Sequence, residues 1–214
     1  MDLPVNQFKK AIQSGKAQIG IWSSLCSAIS AEVLADAGFD WVLLDSEHSP
    51  NELPIVQNQL DAMLAGNTEP IVRPAWNDTV LIKRFLDVGA RTLLIPYVQN
   101  VEEAKRAVAA TRYPPQGVRG VSGCTRANRY GRTKDYFKRV HDELCVLVQV
   151  ETLTAMKQIE QIAAIEGVDG VFIGPNDLAA DMGHLGNWQH PEVWKVMEDA
   201  AKRITKAGKA PGIL

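Results

Sequence analysis

The segment 41-WVLLDSEHSPNE-52 ends an apolar run abruptly in Asp45, Glu47 and His48, just before a Ser-Pro turn. Two carboxylates and an imidazole in that position fit three readings: a metal site, an acid–base pair, or an ordinary polar turn. The same design recurs along the chain. Candidate strands 18-QIGIW-22, 40-DWVLLD-45, 70-PIVRP-74, 91-RTLLIP-96, 144-LCVLVQVE-151, 169-DGVFIG-174 and 209-KAPGIL-214 alternate with segments of helical period, among them 28–39, 79–90, 101–112 and 153–167. Gly38, Gly89, Gly167 and Gly208 each stand just before a strand. They supply the left-handed C-cap that turns a helix back toward a parallel sheet. Repeated βα units with continuously apolar strands mean an α/β fold with parallel pairing.

Two parallel architectures fit, a doubly wound open sheet and a barrel. No GxGxxG follows the first strand, so the Rossmann phosphate loop is missing. Instead, chemistry-bearing residues recur at or just past strand ends: Trp22-Ser23, Asp45 with Glu47 and His48, Arg73, Gln149 with Glu151, and Asn176-Asp177. Side chains from many strands converging at one rim are what a (β/α)8 TIM barrel offers. Seven strands are countable, whereas a closed barrel of about 250 residues needs an eighth strand and further helices. The expectation is one barrel domain over residues 1–214 that stops after strand seven, with its C-terminal strand and helices missing.

Composition narrows the partners. The chain has 214 residues, 46% hydrophobic and 22% charged, with a formal net charge of −2. That balance argues against nucleic acid, which needs a clustered basic surface; the basic stretch from Arg126 to Arg132 reads as a solvated loop. No run approaches the roughly 18 apolar residues of a membrane span, and the N-terminal MDLPVNQFKKAIQSGK reads as a short amphipathic helix. Cys26, Cys124 and Cys145 are odd in number and widely spaced, without a zinc pattern. A reduced, cytoplasmic protein is expected.

Glu151 and Asp177 each follow an apolar strand directly and should point into the barrel mouth. Two carboxylates with few other ligands suit a hard divalent ion such as Mg2+ or Mn2+; alternatively, Asp177 caps the next helix. Arg73, in IVRP, suits a substrate carboxylate or a developing enolate, or else an ion pair with a rim carboxylate. His48 has a strand to position it and can transfer protons near neutrality. His141, His184 and His190 have no such strand and read as surface or structural. The lysines fall in helical segments, apart from Lys209 at the wrong rim, so a Schiff-base mechanism lacks its nucleophile and carbonyl chemistry would have to be metal-assisted.

The motifs FDWVLLDSEHSPN, PIVRPAWND, LLIPYVQN, ATRYPPQGVRG, VLVQVET and GVFIGPNDLAADMG, in this order and spacing, resemble the HpcH/HpaI family of metal-dependent, class II pyruvate aldolases. The resemblance spans essentially the whole chain. It implies a barrel of the phosphoenolpyruvate/pyruvate type and reversible cleavage of a 4-hydroxy-2-oxo acid into pyruvate and an aldehyde, through a metal-stabilised pyruvate enolate. Glu151 and Asp177 match the metal ligands, for Mg2+, Mn2+ or Co2+ with Zn2+ as a further candidate, and no organic cofactor is implied. Arg73 matches the arginine on the pyruvate oxygen, and His48 the catalytic base. Asp87 matches the carboxylate paired with that histidine, supplied from a neighbouring subunit. Gln149, Asn176 and Asp177 would bind substrate, with Trp22 and Leu214 beside them, while Asp45 and Glu47 would organise water around the metal. The family implies a homo-oligomer, a hexamer. Ser46 and Asn176 depart from the Gly and the small residue that many relatives carry. A citrate-lyase-like acyl-CoA lyase and a catalytically silent barrel kept for assembly remain as rival readings, and aldehyde selectivity is expected in loops 120–132 and 183–193.

Overall fold

The computed structural model describes residues 2–214. Helix α1 (Gln7–Gln13) precedes β1 (Gly20–Ser23), α2 (Ala28–Ala35), β2 (Trp41–Asp45), α3 (Leu53–Ala62), β3 (Glu69–Arg73), α4 (Thr79–Asp87), β4 (Thr92–Ile95) and α5 (Val101–Thr111). Then follow α6 (Tyr136–Glu143), β5 (Cys145–Val150), α7 (Leu153–Met156), α8 (Ile159–Ala163), β6 (Gly170–Ile173), α9 (Pro175–Asp181), α10 (Pro191–Lys206) and β7 (Ala210–Ile213). The strands pair in parallel in the order β1 to β7, each beside its sequence neighbour. This is the curled α/β sheet of a TIM-type barrel, with β1 and β7 as its two edges.

All seven expected strands are present, with ends shifted by one or two residues. The helical segment 153–167 is the exception. It breaks at Lys157 and Gln158 into α7 and α8. Gly38, Gly89, Gly167 and Gly208 all have left-handed backbones, φ between 79° and 99°, as the C-cap reading requires.

The two-residue period of the strands sorts their side chains into two cores. Leu43, Ile71, Leu94, Cys145, Leu147 and Phe172 meet inside the curl, together with half-buried Trp22 and Trp41. The alternate residues, such as Val42, Leu44, Val72, Val146 and Val148, pack outward against the helices. Phe8 and Ile12 of α1 close the lower end of the inner core. Helix α1 is held there by Asn6, whose side chain caps Lys9 N–H and donates to Thr92 Oγ1 at 2.9 Å, while Lys9 Nζ donates to Leu144 O at 2.7 Å.

Continuing the inward parity toward the strand C-termini places Asp45 above Leu43, Arg73 above Ile71, and Gln149 and Glu151 above Leu147. The apolar interior therefore ends in a polar layer at one rim.

Phe8→Ala should empty the floor of the inner core. Its cost is expected to be about 3 kcal/mol, read as a lower denaturant midpoint with an unchanged m-value.

Candidate active site

Asp45 and Arg73 are register partners on adjacent strands β2 and β3. Arg73 Nε and Nη2 each donate to one oxygen of Asp45 at 2.8 Å, a bidentate fork. Both residues are almost fully buried. Arg73 Nη1 lies 3.4 Å from Gln149 Oε1, to which it donates, and 2.9 Å from Glu47 Oε2. Beneath it sits the Trp22 ring, with the guanidinium carbon 5.1 Å from the ring centroid. Gln149 in turn donates through Nε2 to Glu151 Oε2 at 2.6 Å. A continuous polar chain thus crosses the rim from β2 through β3 to the end of β5.

Local backbone features hold this chain in place. Glu47 N–H donates to Asp45 Oδ1 at 3.0 Å, folding the segment after β2 into a tight turn, and Ser49 Oγ donates to Asp45 O. Tyr97, just past β4, adopts a left-handed backbone (φ 53°) and donates its N–H to Glu151 Oε1 at 2.9 Å. Gly174 leaves room for Glu151, since a Cβ there would stand 2.2 Å from Glu151 Oε2. Gly174 is also the N-cap of α9, so Asp177 lies in the first helical turn and does not serve as the cap.

The electrostatics are lopsided. Burial pushes the Asp45 carboxyl up, but hydrogen bonds and charge from Arg73 outweigh it and hold the group below its ordinary value. Glu47 behaves in the opposite way: burial, against the pull of Arg73, together with the charges of Glu151, Asp45 and Asp177, pushes its carboxyl up to about 7. Burial also raises Glu151, and the charge of Asp177 adds to it, while Gln149 and the Tyr97 N–H work against the rise. Glu47 Oε2 is buried beside Arg73 with no donor in line for a hydrogen bond. Four carboxylates therefore face one guanidinium.

The sequence-derived residues are placed as follows. Asp45, Glu47, Arg73, Gln149, Glu151 and Trp22 form one contiguous assembly, and the charge of Asp177 reaches it. His48 stands at the edge, its side chain 67% exposed and Nε2 3.8 Å from Glu47 Oε2. Asn176 is exposed at the start of α9, and Leu214 is exposed after β7. Two of these side chains are held by arginines. Asp45 is held by Arg73, because the strand register sets the two side by side. Asp87, at the C-terminal end of α4, accepts from Arg119 Nη2 at 2.7 Å. Sequence reading missed Tyr97 and the exposed Trp76 stacked on it, ring centroids 5.4 Å apart. A backbone N–H at a left-handed tyrosine leaves no signature in residue type.

This chain matches the HpcH/HpaI aldolase/citrate lyase family over residues 18–214. It belongs to that family. It is 59% identical over 210 residues to the 4-hydroxy-2-oxo-heptane-1,7-dioate aldolase of Klebsiella pneumoniae, a match covering 98% of this chain and 79% of the relative. It is 57% identical to the pyruvate aldolase of Rhizobium etli, over 100% of this chain and 84% of the relative. Among solved structures, an HpcH/HpaI aldolase/citrate lyase family protein from Burkholderia cenocepacia superimposes with a TM-score of 0.95 at 42% identity, covering 98% of this chain and 84% of that one.

HpcH/HpaI aldolases generally depend on a divalent metal, and the rim of this family member suits one. Its free donors are carboxylate oxygens, the choice of hard ions. Four carboxylates stand around a single guanidinium, and Arg73 pairs directly with only two of them, Asp45 and Glu47.

In chelator, the folded protein keeps a proton on Glu47 up to about pH 7, whereas the unfolded chain releases it near 4.5. The folded state binds more protons between those values, so stability should fall as pH rises through that window. Urea midpoints of wild type and Glu47→Gln across pH 4.5–7.5 check this; the variant should show the shallower slope, and equal slopes would count against the assignment.

Proposed function

We propose that the protein is a metal-dependent pyruvate aldolase, reversibly cleaving a 4-hydroxy-2-oxo acid into pyruvate and an aldehyde, with residues 1–214 acting as one catalytic barrel domain. The observation that carries this reading is the polar chain Asp45–Arg73–Gln149–Glu151 at the barrel rim, with the charge of Asp177 reaching it. The names of the two curated relatives support the same chemistry. In this reading Glu151 and Asp177 hold the divalent ion, Mg2+, Mn2+ or Co2+ by donor type. When bound, that ion supplies Lewis-acid polarisation of the keto oxygen.

The remaining work falls to side chains. Arg73 is fixed by the Asp45 fork with Nη1 turned toward Gln149 and Glu47. It is assigned to the substrate keto oxygen, where negative charge grows as the C3–C4 bond breaks. A guanidinium pre-oriented in a dry site loses little in reorganisation as that charge develops. The N-terminal turn of α9, with Asn176 and Asp177, is assigned to the substrate carboxylate, with Gln149, Trp22 and Leu214 around it. His48 takes the C4 hydroxyl proton through a water; its exposure lets it reach substrate at the mouth. In the synthetic direction it removes a methyl proton from pyruvate. Glu47 stands beside His48 and Arg73 and organises water at the mouth.

Asp87 is assigned to the partner subunit's His48, in a homo-oligomer proposed to be a hexamer. Support comes from α2, where Ile29 and Val33 lie one turn apart at 75% and 67% exposure, with Leu25 at 75% just before the helix, apolar surface suited to burial between copies. No described helix is long and apolar enough to cross a membrane, and a cytoplasmic location is proposed.

The test is pyruvate release from a 4-hydroxy-2-oxo acid, followed by a coupled assay. Release should stop in EDTA and return with Mg2+ or Mn2+; a rate indifferent to chelator would overturn the metal-dependent reading. His48→Ala should lose about 10²- to 10⁴-fold in kcat while still binding pyruvate. Arg73→Ala should lose both affinity and rate, and an effect on neither would remove Arg73 from the site.

A further inference from the structure

Outside the rim, loop 183–190 joins α9 to α10 and gathers two further histidines. Its sequence, 183-GHLGNWQH-190, folds back on itself through two left-handed glycines, Gly183 (φ 82°) and Gly186 (φ 77°). Three hydrogen bonds fix that fold: His184 N–H to Ala179 O at 2.7 Å, Asn187 N–H to His184 O at 2.9 Å, and His190 N–H to Asn187 O at 3.1 Å. Trp188 packs against the core and anchors the loop from below. As a result, the imidazoles of His184 and His190 stack with centroids 3.6 Å apart and planes 15° from parallel. Glu192, in the first turn of α10, brings Oε2 to 3.1 Å from His184 Nε2.

We propose that His184, His190 and Glu192 form a second metal site, distinct from the rim carboxylates and suited to a transition ion such as Zn2+, Ni2+ or Co2+. One donor atom from each residue lies within 4.8 Å of the other two. Ligands around a tetrahedral zinc stand at about 2.0–2.2 Å from the ion, which puts them about 3.3–3.6 Å from one another; the two near-parallel rings must splay apart to aim both lone pairs at one ion. His190 Nδ1 accepts a long, 3.3 Å bond from Glu192 N–H. That bond caps α10, and an ion at this nitrogen would take its place. Water would complete the coordination at this partly exposed position.

Ligand chemistry separates the two sites. The rim offers carboxylate oxygens, which suit Mg2+ and Mn2+, whereas two imidazoles and one carboxylate select the later first-row ions. An ion here would cross-link the loop to the start of α10. That loop follows directly from α9, which carries Asp177. The site would thus stiffen the segment behind the catalytic rim without supplying a group to it.

The test titrates Co2+ into full-length protein held in excess Mg2+ and reads visible absorption. Nitrogen-ligated, low-coordinate Co2+ gives intense bands, while octahedral Co2+ in an oxygen site is only weakly coloured. Wild type should develop one intense equivalent, displaceable by Zn2+. His184→Ala and His190→Ala should each lose it, and Glu192→Gln should weaken it by at least about tenfold, a loss of about 1.4 kcal/mol. Circular dichroism in chelator should show all three variants folded as wild type is; the conservative Glu192→Gln keeps the test alive if an alanine variant is disturbed. No intense band in wild type, or the same band in all three variants, would overturn the proposal. Because the readout is spectroscopic and the rim carboxylates stay intact, the outcome is independent of whether the aldolase reading holds.

Discussion

Four carboxylates, Asp45, Glu47, Glu151 and Asp177, gather around one buried guanidinium at the rim of a parallel barrel, and Arg73 pairs directly with only two of them. That constraint shapes the rest of the site. The Asp45–Arg73 fork is fully desolvated, and breaking such a pair by removing one member typically costs about 3–5 kcal/mol, because it strands the other charge. With Asp45 committed, Arg73 can offer only Nη1 to the open side, where Gln149 and Glu47 wait. Gln149 passes the order on to Glu151, and the Tyr97 N–H fixes the other oxygen. Burial raises Glu47 most, against the pull of Arg73, and the charges of Glu151, Asp45 and Asp177 add to the rise.

The fold delivers this arrangement through simple periodicity. On β2, β3 and β5 the inward-facing Leu43, Ile71 and Leu147 are followed at the same parity by Asp45, Arg73 and Gln149, so the same alternation that builds the inner core also assembles the rim. Phe8 and Ile12 close the opposite end, leaving one face for chemistry. The hexameric assembly proposed here would bury the apolar stripe of α2 and bring Asp87 to a second copy, so that the site becomes complete only between chains.

Much of this was legible in the sequence. VLVQVE, IVRP and VLLDSEH announce strands by continuous apolar runs and rim residues by the polar ending, and the glycines before strands marked the returns. What stayed hidden depended on register and on backbone. Nothing in the residue types says that Asp45 lies opposite Arg73; a slip of one residue would have turned Arg73 outward. The Tyr97 N–H and the clearance at Gly174 are backbone effects with no side-chain signal. Helix 153–167 had unbroken apolar period, yet splits at Lys157–Gln158. His184 and His190 looked isolated because their meeting depends on two left-handed glycines between α9 and α10.

In the proposed function, Glu151 and Asp177 hold a divalent cation at the rim, beside a guanidinium that already has two carboxylate partners. Mn2+ binding followed by electron paramagnetic resonance tests it most directly. Wild type should bind Mn2+ tightly, and Glu151→Gln and Asp177→Asn should each raise the free Mn2+ signal to that of a protein without the site. Equal Mn2+ binding in wild type and both variants would contradict the account.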